Sequence, residues 1–110
     1  EHYGEPDAEL LLIGWGSNYG VLRETIDCLR AEGKPAALLH FADLWPLPTV
    51  RLSEALSAAR VSVCVENNST GQFRSLIQMA TGLNIDHSVL KYDGRPFFAG
   101  EIIEEVQKHV

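Results

Sequence analysis

Glu-Leu-Leu-Leu-Ile-Gly, from Glu9 to Gly14, is a short unbroken apolar run that stops at a glycine. A strand covered by helices on both faces has no solvent side, so it loses the apolar–polar alternation of a half-buried strand; this run reads as such a strand, central in its sheet. Between Tyr19 and Glu32 the period changes. Leu22, Ile26 and Leu29 fall at i, i+4 and i+7, Arg23, Glu24, Asp27 and Arg30 take the other face, and Gly33 follows as a stop, which predicts an amphipathic helix. Ala36 to Phe41 (AALLHF) is then a second buried strand, and strand–helix–strand implies a parallel pair.

The pattern continues toward the carboxyl terminus. Ala42 to Thr49 carries two prolines that forbid regular structure; Leu52, Leu56 and Ala59 then mark a second helix with Thr49 as its N-cap. Val61 to Glu66 (VSVCVE) is the third strand. Ser69 and Gln72 form an S-x-x-Q capping box ahead of Phe73, Leu76, Ile77 and Ala80, and Gly82 closes this third helix. Val89 to Tyr92 reads as an edge-like fourth strand, and Ile102, Ile103 and Val106 place a last helix from about Ala99. The pattern predicts a single α/β domain over residues 1–110, an open, mostly parallel sheet of four strands with helices on both faces. Such sheets receive ligands or partners outside the carboxyl ends of their strands, where the strand order reverses.

Composition narrows the function. Nine Lys and Arg against fifteen Asp and Glu give a formal net charge of −6, with no basic cluster, which argues against nucleic acid as a partner because that affinity is mostly phosphate neutralisation. No apolar run approaches the ~18 residues of a membrane span, and Glu1 to Asp7 lacks the features of an export signal, so neither membrane nor export is expected and a cytoplasmic setting is the default. Cys28 and Cys64 read as two buried free thiols. The four histidines form no H-E-x-x-H pattern, and the chain offers no metal-ligand spacing.

Two loops carry the polar chemistry. Gly14-Trp15-Gly16-Ser17-Asn18-Tyr19-Gly20 looks like half of a dinucleotide fingerprint, but its third glycine comes four residues after Gly16 where three are required, and no acidic residue ends the second strand. Its glycines read more simply as a tight strand-to-helix turn, and the helix behind it offers free N–H groups to an anion. In Glu66-Asn67-Asn68-Ser69-Thr70-Gly71-Gln72, capping and turn formation occupy Ser69, Gln72, Asn68 and Gly71, which leaves Glu66 and Asn67 without a structural task. A carboxylate at the end of a buried strand needs a partner, here expected on another domain. If the first strand lies between the second and third, these two loops flank one crevice. His40 ends the second strand as a crevice residue or a satisfied strand histidine, and Trp15 and Trp45, read as loop residues, are either interface anchors or covers of the sheet edge. No self-contained active site emerges, and no Walker or nucleophile-elbow pattern is present.

Four segments together, LLIGWGS (Leu11 to Ser17), LHFADLWPLP (Leu39 to Pro48), VENNSTGQ (Val65 to Gln72) and LKYDGRPF (Leu90 to Phe97), resemble the carboxyl-terminal domain of the alpha subunit of 2-oxoacid:ferredoxin oxidoreductases. The resemblance runs in order from Tyr3 to about Ile103. It implies a three-layer α/β/α domain similar to the transketolase carboxyl-terminal domain, in which an antiparallel strand precedes the Glu9 run; only Glu1 to Pro6 is available for it. It also implies that the chain is part of a larger subunit whose amino-terminal portion carries the pyrimidine-type thiamine domain. The whole complex of the family decarboxylates a 2-oxoacid on thiamine diphosphate and Mg2+, passes electrons through iron–sulfur clusters to ferredoxin, and forms an acyl-CoA. The last two segments look most like the 2-oxoglutarate type. None of these cofactors is expected to be held by this domain alone, which is expected to be inactive in isolation. Its expected partners are the other domains of the alpha subunit and the beta subunit. The docking surface is expected at Gly14, Trp15, Gly16, Ser17, Glu66, Asn67, Asn68, Gly71 and Gln72, and charge reversal at Glu66 is expected to weaken assembly without unfolding the domain. Two other readings compete: an independent module holding CoA or a nucleotide at the first-loop helix N-terminus, and a receiver-like signalling protein, for which the paired acidic residues after the first strand are missing.

Overall fold

Strand β1 (His2–Gly4) is followed by β2 (Leu10–Trp15), α1 (Tyr19–Ala31), β3 (Ala36–Phe41), α2 (Thr49–Ala58), β4 (Val61–Glu66), α3 (Gln72–Thr81), β5 (His87–Leu90) and α4 (Ala99–Gln107) in a computed structural model that describes residues 2–4, 8–15, 19–41, 49–66, 72–82, 84–90 and 98–108. The strands form one sheet in the order β1-β3-β2-β4-β5. β2, β3, β4 and β5 run parallel, and β1 pairs antiparallel with the outer edge of β3, Tyr3 opposite Leu38. The antiparallel strand expected before the Glu9 run is therefore built from His2 to Gly4.

Alternation along each strand sends successive side chains to opposite faces, and this divides the core in two. Leu10, Leu12, Leu38, Val63, Val65 and Val89 meet Leu22, Ile26 and Leu29 of α1 and Ile102 and Val106 of α4 on one face. On the other, Leu11, Ile13, Ala37, Leu39, Phe41 and Cys64 meet Leu52 of α2 and Ile77 of α3. The result is the expected three-layer α/β/α arrangement. Leu12, Ile13, Leu22, Ile26 and Leu38 are fully buried, each contributing about 1.5–3 kcal/mol by leaving water. α1 stops where Gly33 takes φ +79°, its N–H donating to the Arg30 carbonyl at 2.9 Å.

Four sequence readings need correction. β5 spans His87–Leu90 rather than beginning at Val89, because its register is set by β4, Val63 opposite His87 through Glu66 opposite Leu90, and its first two side chains are polar on an edge; Lys91 and Tyr92 lie outside the described residues. Thr49 is the first residue of α2 rather than a cap ahead of it. Cys28 is exposed: two residues beyond Ile26 it points some 200° around the helix from the buried stripe, whereas Cys64 is buried as expected. Trp15 closes β2 in register with Phe41 instead of lying in the loop beyond. The prolines of Ala42 to Pro48, Trp45 and the Ser69 half of the capping box lie outside the described residues.

Candidate functional site at the carboxyl ends of the strands

β2 lies between β3 and β4, so the chain turns to one side of it through α1 and to the other through α2, and the order reverses there. The carboxyl ends of β2 and β4 are accordingly the place where a crevice is expected. Gly14 sits in the strand itself. A Cβ added to it would lie 2.4 Å from Cδ1 of the fully buried Leu22 and 3.9 Å from the Val65 carbonyl oxygen, so this glycine is required by the close approach of α1 and not by a turn. The same contacts place Gly14 beside the end of β4. Trp15, the next residue, is 37% exposed, a large aromatic at the mouth of the switch point.

On the β3 side, His40 stands opposite Gly14 and is buried, its ring 4.9 Å from that of Tyr19 at the start of α1. Of the two sequence readings for His40, this environment matches the strand histidine. Further out, the Arg23 guanidinium lies 4.4 Å above the Tyr3 ring and 5.5 Å from the Tyr19 ring, and the Tyr3 hydroxyl donates to Asp27 at 2.6 Å, which fastens β1 to α1. Interaction with Tyr3 and Tyr19 raises the Arg23 pKa above its already high ordinary value, so it stays charged.

On the β4 side, Glu66 is completely buried. Its Oε2 accepts the backbone N–H of Arg74 at 3.1 Å and the Cys64 thiol at 3.5 Å. The Arg74 amide belongs to the first turn of α3, where N–H groups have no intrahelical partner and a carboxylate is favoured by the helix dipole. Glu66 thus has a structural task within its own domain, contrary to the sequence reading that sought its partner elsewhere. Burial, with the neighbouring carboxylate, pushes the Cys64 thiol far above the ordinary thiol range, so it is an inert core thiol rather than a nucleophile.

Arg74 extends the arrangement. Its guanidinium donates to Gln78 Oε1 at 3.3 Å, to Ser88 Oγ at 3.0 Å and to the Asp86 carbonyl at 3.4 Å, and Gln78 Oε1 also accepts the Ile85 N–H. Asp86 in turn accepts from the Ser62 N–H and hydroxyl at 2.9 and 3.2 Å. The first turn of α3 is therefore tied to β4 through Glu66 and to β5 through Arg74. Sequence reasoning missed Arg74, Ser88, Asp86 and Ser62. The one available signal was an arginine eight residues after a strand-terminal glutamate.

Of the nine residues expected at the docking surface, the structure brings Gly14, Trp15 and Glu66 to the ends of adjacent strands and starts α3 at Gln72; Gly16, Ser17, Asn67, Asn68 and Gly71 lie outside the described residues. Among the described residues no three His, Cys, Asp or Glu side chains gather into a metal site. Cys28 on the outer face of α1 and Cys64 in the core on the other side of the sheet do not fit a shared iron–sulfur cluster. A cleft of about 480 Å3 opens at the opposite, amino end of the strands, between Leu10, Leu29, Lys34, Pro35, Arg60 and Val61. The charges around it are exposed pairs, Arg60 with Glu9 at 3.5 Å and Lys34 with Glu32 at 3.6 Å, and it is remote from the switch point.

Residues 8–102 match the family described as pyruvate:ferredoxin oxidoreductase core domain II. The chain belongs to this family. It is 44% identical over 109 residues to the alpha subunit of 2-oxoacid:ferredoxin oxidoreductase 1 from Aeropyrum pernix, a match covering 96% of this chain and 17% of that subunit. The chain thus spans about one sixth of the length of the first curated relatives it matches. Its core domain II superposes with a TM-score of 0.90 on the 2-oxoglutarate:ferredoxin oxidoreductase of Magnetococcus marinus, at 28% identity, covering 98% of this chain and 19% of that one. The crystallised alpha chain of a probable 2-oxoacid ferredoxin oxidoreductase from Thermoplasma acidophilum matches at 33% identity and a TM-score of 0.68, covering 98% of this chain and 93% of that one. A split-gene transketolase shares the fold alone, at 18% identity and a TM-score of 0.71. No helix among the described residues is long and apolar enough to cross a membrane.

Proposed function

We propose that residues 1–110 act as one domain of the alpha subunit of a cytoplasmic 2-oxoacid:ferredoxin oxidoreductase, which oxidatively decarboxylates a 2-oxoacid to an acyl-CoA and passes the electrons to ferredoxin. Two-oxoglutarate is the substrate favoured by the Glu66-to-Gln72 and Lys91-to-Phe97 segments. Thiamine diphosphate, Mg2+, iron–sulfur clusters and CoA belong, in this reading, to other parts of the complex; the described residues provide no donor set for a cluster or a divalent cation.

The domain's own part is docking. The observation that carries this is the position of Gly14, Trp15 and Glu66 at the carboxyl ends of the adjacent strands β2 and β4, where the strand order reverses and the two glycine-bearing segments depart. Trp15, Gly16, Ser17, Asn67, Asn68, Gly71 and Gln72 form the surface that meets other domains of the alpha subunit and the beta subunit, and the buried Gly14 and Glu66 support it from beneath. Half-exposed Trp15 supplies the kind of aromatic anchor on which interface energy concentrates.

The test is the native mass of the polypeptide that contains this sequence in its source cells, together with what copurifies. The expected result is a polypeptide several times larger than 12.2 kDa accompanied by a second subunit and iron–sulfur absorbance. A free 12.2 kDa species that binds CoA at micromolar concentration would overturn the reading in favour of an independent ligand-binding module.

A further inference from the structure

Glu66 is the one fully buried carboxylate among the described residues, and its Oε2 is held by a first-turn amide and a thiol. It stands at the last position of β4, opposite Leu90 of β5, and reaches forward eight residues to the first turn of α3. The Arg74 residue whose amide it accepts is itself held from the other side, through Ser88 and Asp86. One carboxylate therefore joins the last residue of β4 to the first turn of α3, beside Gly14.

We infer that Glu66 is a positioning residue: its carboxylate clamps the carboxyl end of β4 to the amino end of α3, and so fixes how these two elements frame the proposed docking surface. This rests on the docking role proposed above but assigns Glu66 a different task from contact. A carboxylate suits it chemically. When it is ionised, one of its oxygens takes both the helix amide and the thiol. Alanine removes the acceptor of the part-buried Arg74 N–H, whereas glutamine retains an acceptor oxygen of the same reach.

The experiment compares the 110-residue chain with Glu66→Ala and Glu66→Gln by amide hydrogen exchange and backbone NMR shifts, and then measures recovery of the alpha–beta complex carrying each variant. Exchange is read relative to global stability, so that overall loosening is separated from local release of the clamp. In Glu66→Ala the Arg74 amide should exchange roughly tenfold faster than global unfolding accounts for, with shift changes concentrated in residues 67–74 and complex recovery reduced about tenfold. Glu66→Gln should restore Arg74 protection and complex recovery to within about threefold of wild type. Wild-type Arg74 protection in a folded Glu66→Ala chain overturns the clamp. So does a Glu66→Gln chain that behaves like Glu66→Ala, including in the case where alanine prevents folding. A wild-type chain with a protected Arg74 amide that never enters a complex would defeat the docking role and with it the inferred purpose, while leaving the exchange result to show that the clamp itself exists.

Discussion

The two ends of the sheet handle charge in opposite ways. At the amino end, beside the cleft, Glu9, Arg60, Glu32 and Lys34 pair in the open, with side chains 45–65% exposed. At the carboxyl end Glu66 and His40 are buried, and Gly14 has no room for a side chain. Solvent screens the first set and each pair contributes little; the second set has surrendered its hydration and depends on its neighbours' exact placement. The lesson is that the buried charge is the more tightly specified one. Specification of that kind is what a docking surface requires, since a misplaced loop loses its partner even when the domain stays folded.

Charge reversal at Glu66 is the severest way to break this contrast. Because the carboxylate is enclosed and faces the amino end of α3, Glu66→Lys should lower unfolding free energy by about 3–5 kcal/mol, enough to threaten the fold. Urea unfolding measures it, and a near-normal midpoint would put the two ends on the same footing. This replaces the sequence expectation that reversal would spare the isolated domain.

A smaller effect follows from Cys64. Burial and Glu66 raise its thiol pKa in the folded state, so the fold binds the proton more tightly than the unfolded chain does. The unfolded thiol ionises from about pH 8.5, which stabilises the unfolded state; the contribution is complete below that pH and declines above it. Thermal unfolding between pH 8 and 10 should lose about 1.4 kcal/mol per pH unit more in wild type than in Cys64→Ala once the pH passes that range. Parallel slopes would show that the thiol is not enclosed. The smallest change is expected at the amino end, where Arg60→Ala removes a pair that is about two-thirds exposed and should cost at most about 1 kcal/mol, shrinking further with added salt. A larger loss there would erase the contrast.

What the sequence revealed followed from periodicity. β3 and β4 have the bounds read from their apolar runs, and α1 and α4 start at Tyr19 and Ala99, where the reading placed them. The central place of β2 followed from the same runs, whereas its position between β3 and β4, and with it the switch, is set by the crossovers, which periodicity does not specify. Errors arose where a position's environment is set by another element: β5 takes its start from β4, so polar His87 and Ser88 hid it, and Cys28 was misjudged by residue type when its helical angle already placed it outside. At the site, the location of the Glu66 loop was legible but the partner of Glu66 was not, because Arg74 offers a backbone amide and that donor has no residue-type signature. The Ser62–Asp86 and Arg74–Ser88 bonds likewise join residues that only the sheet order brings together.

Among the described residues, the sheet is bordered by three residues of β1 on one side and four of β5 on the other. A neighbouring chain seeking to extend the sheet would find only a few main-chain rungs to template on, and edges this short resist edge-to-edge aggregation. Along these described edges recognition falls mainly to side chains, which makes it selective for what the surface carries.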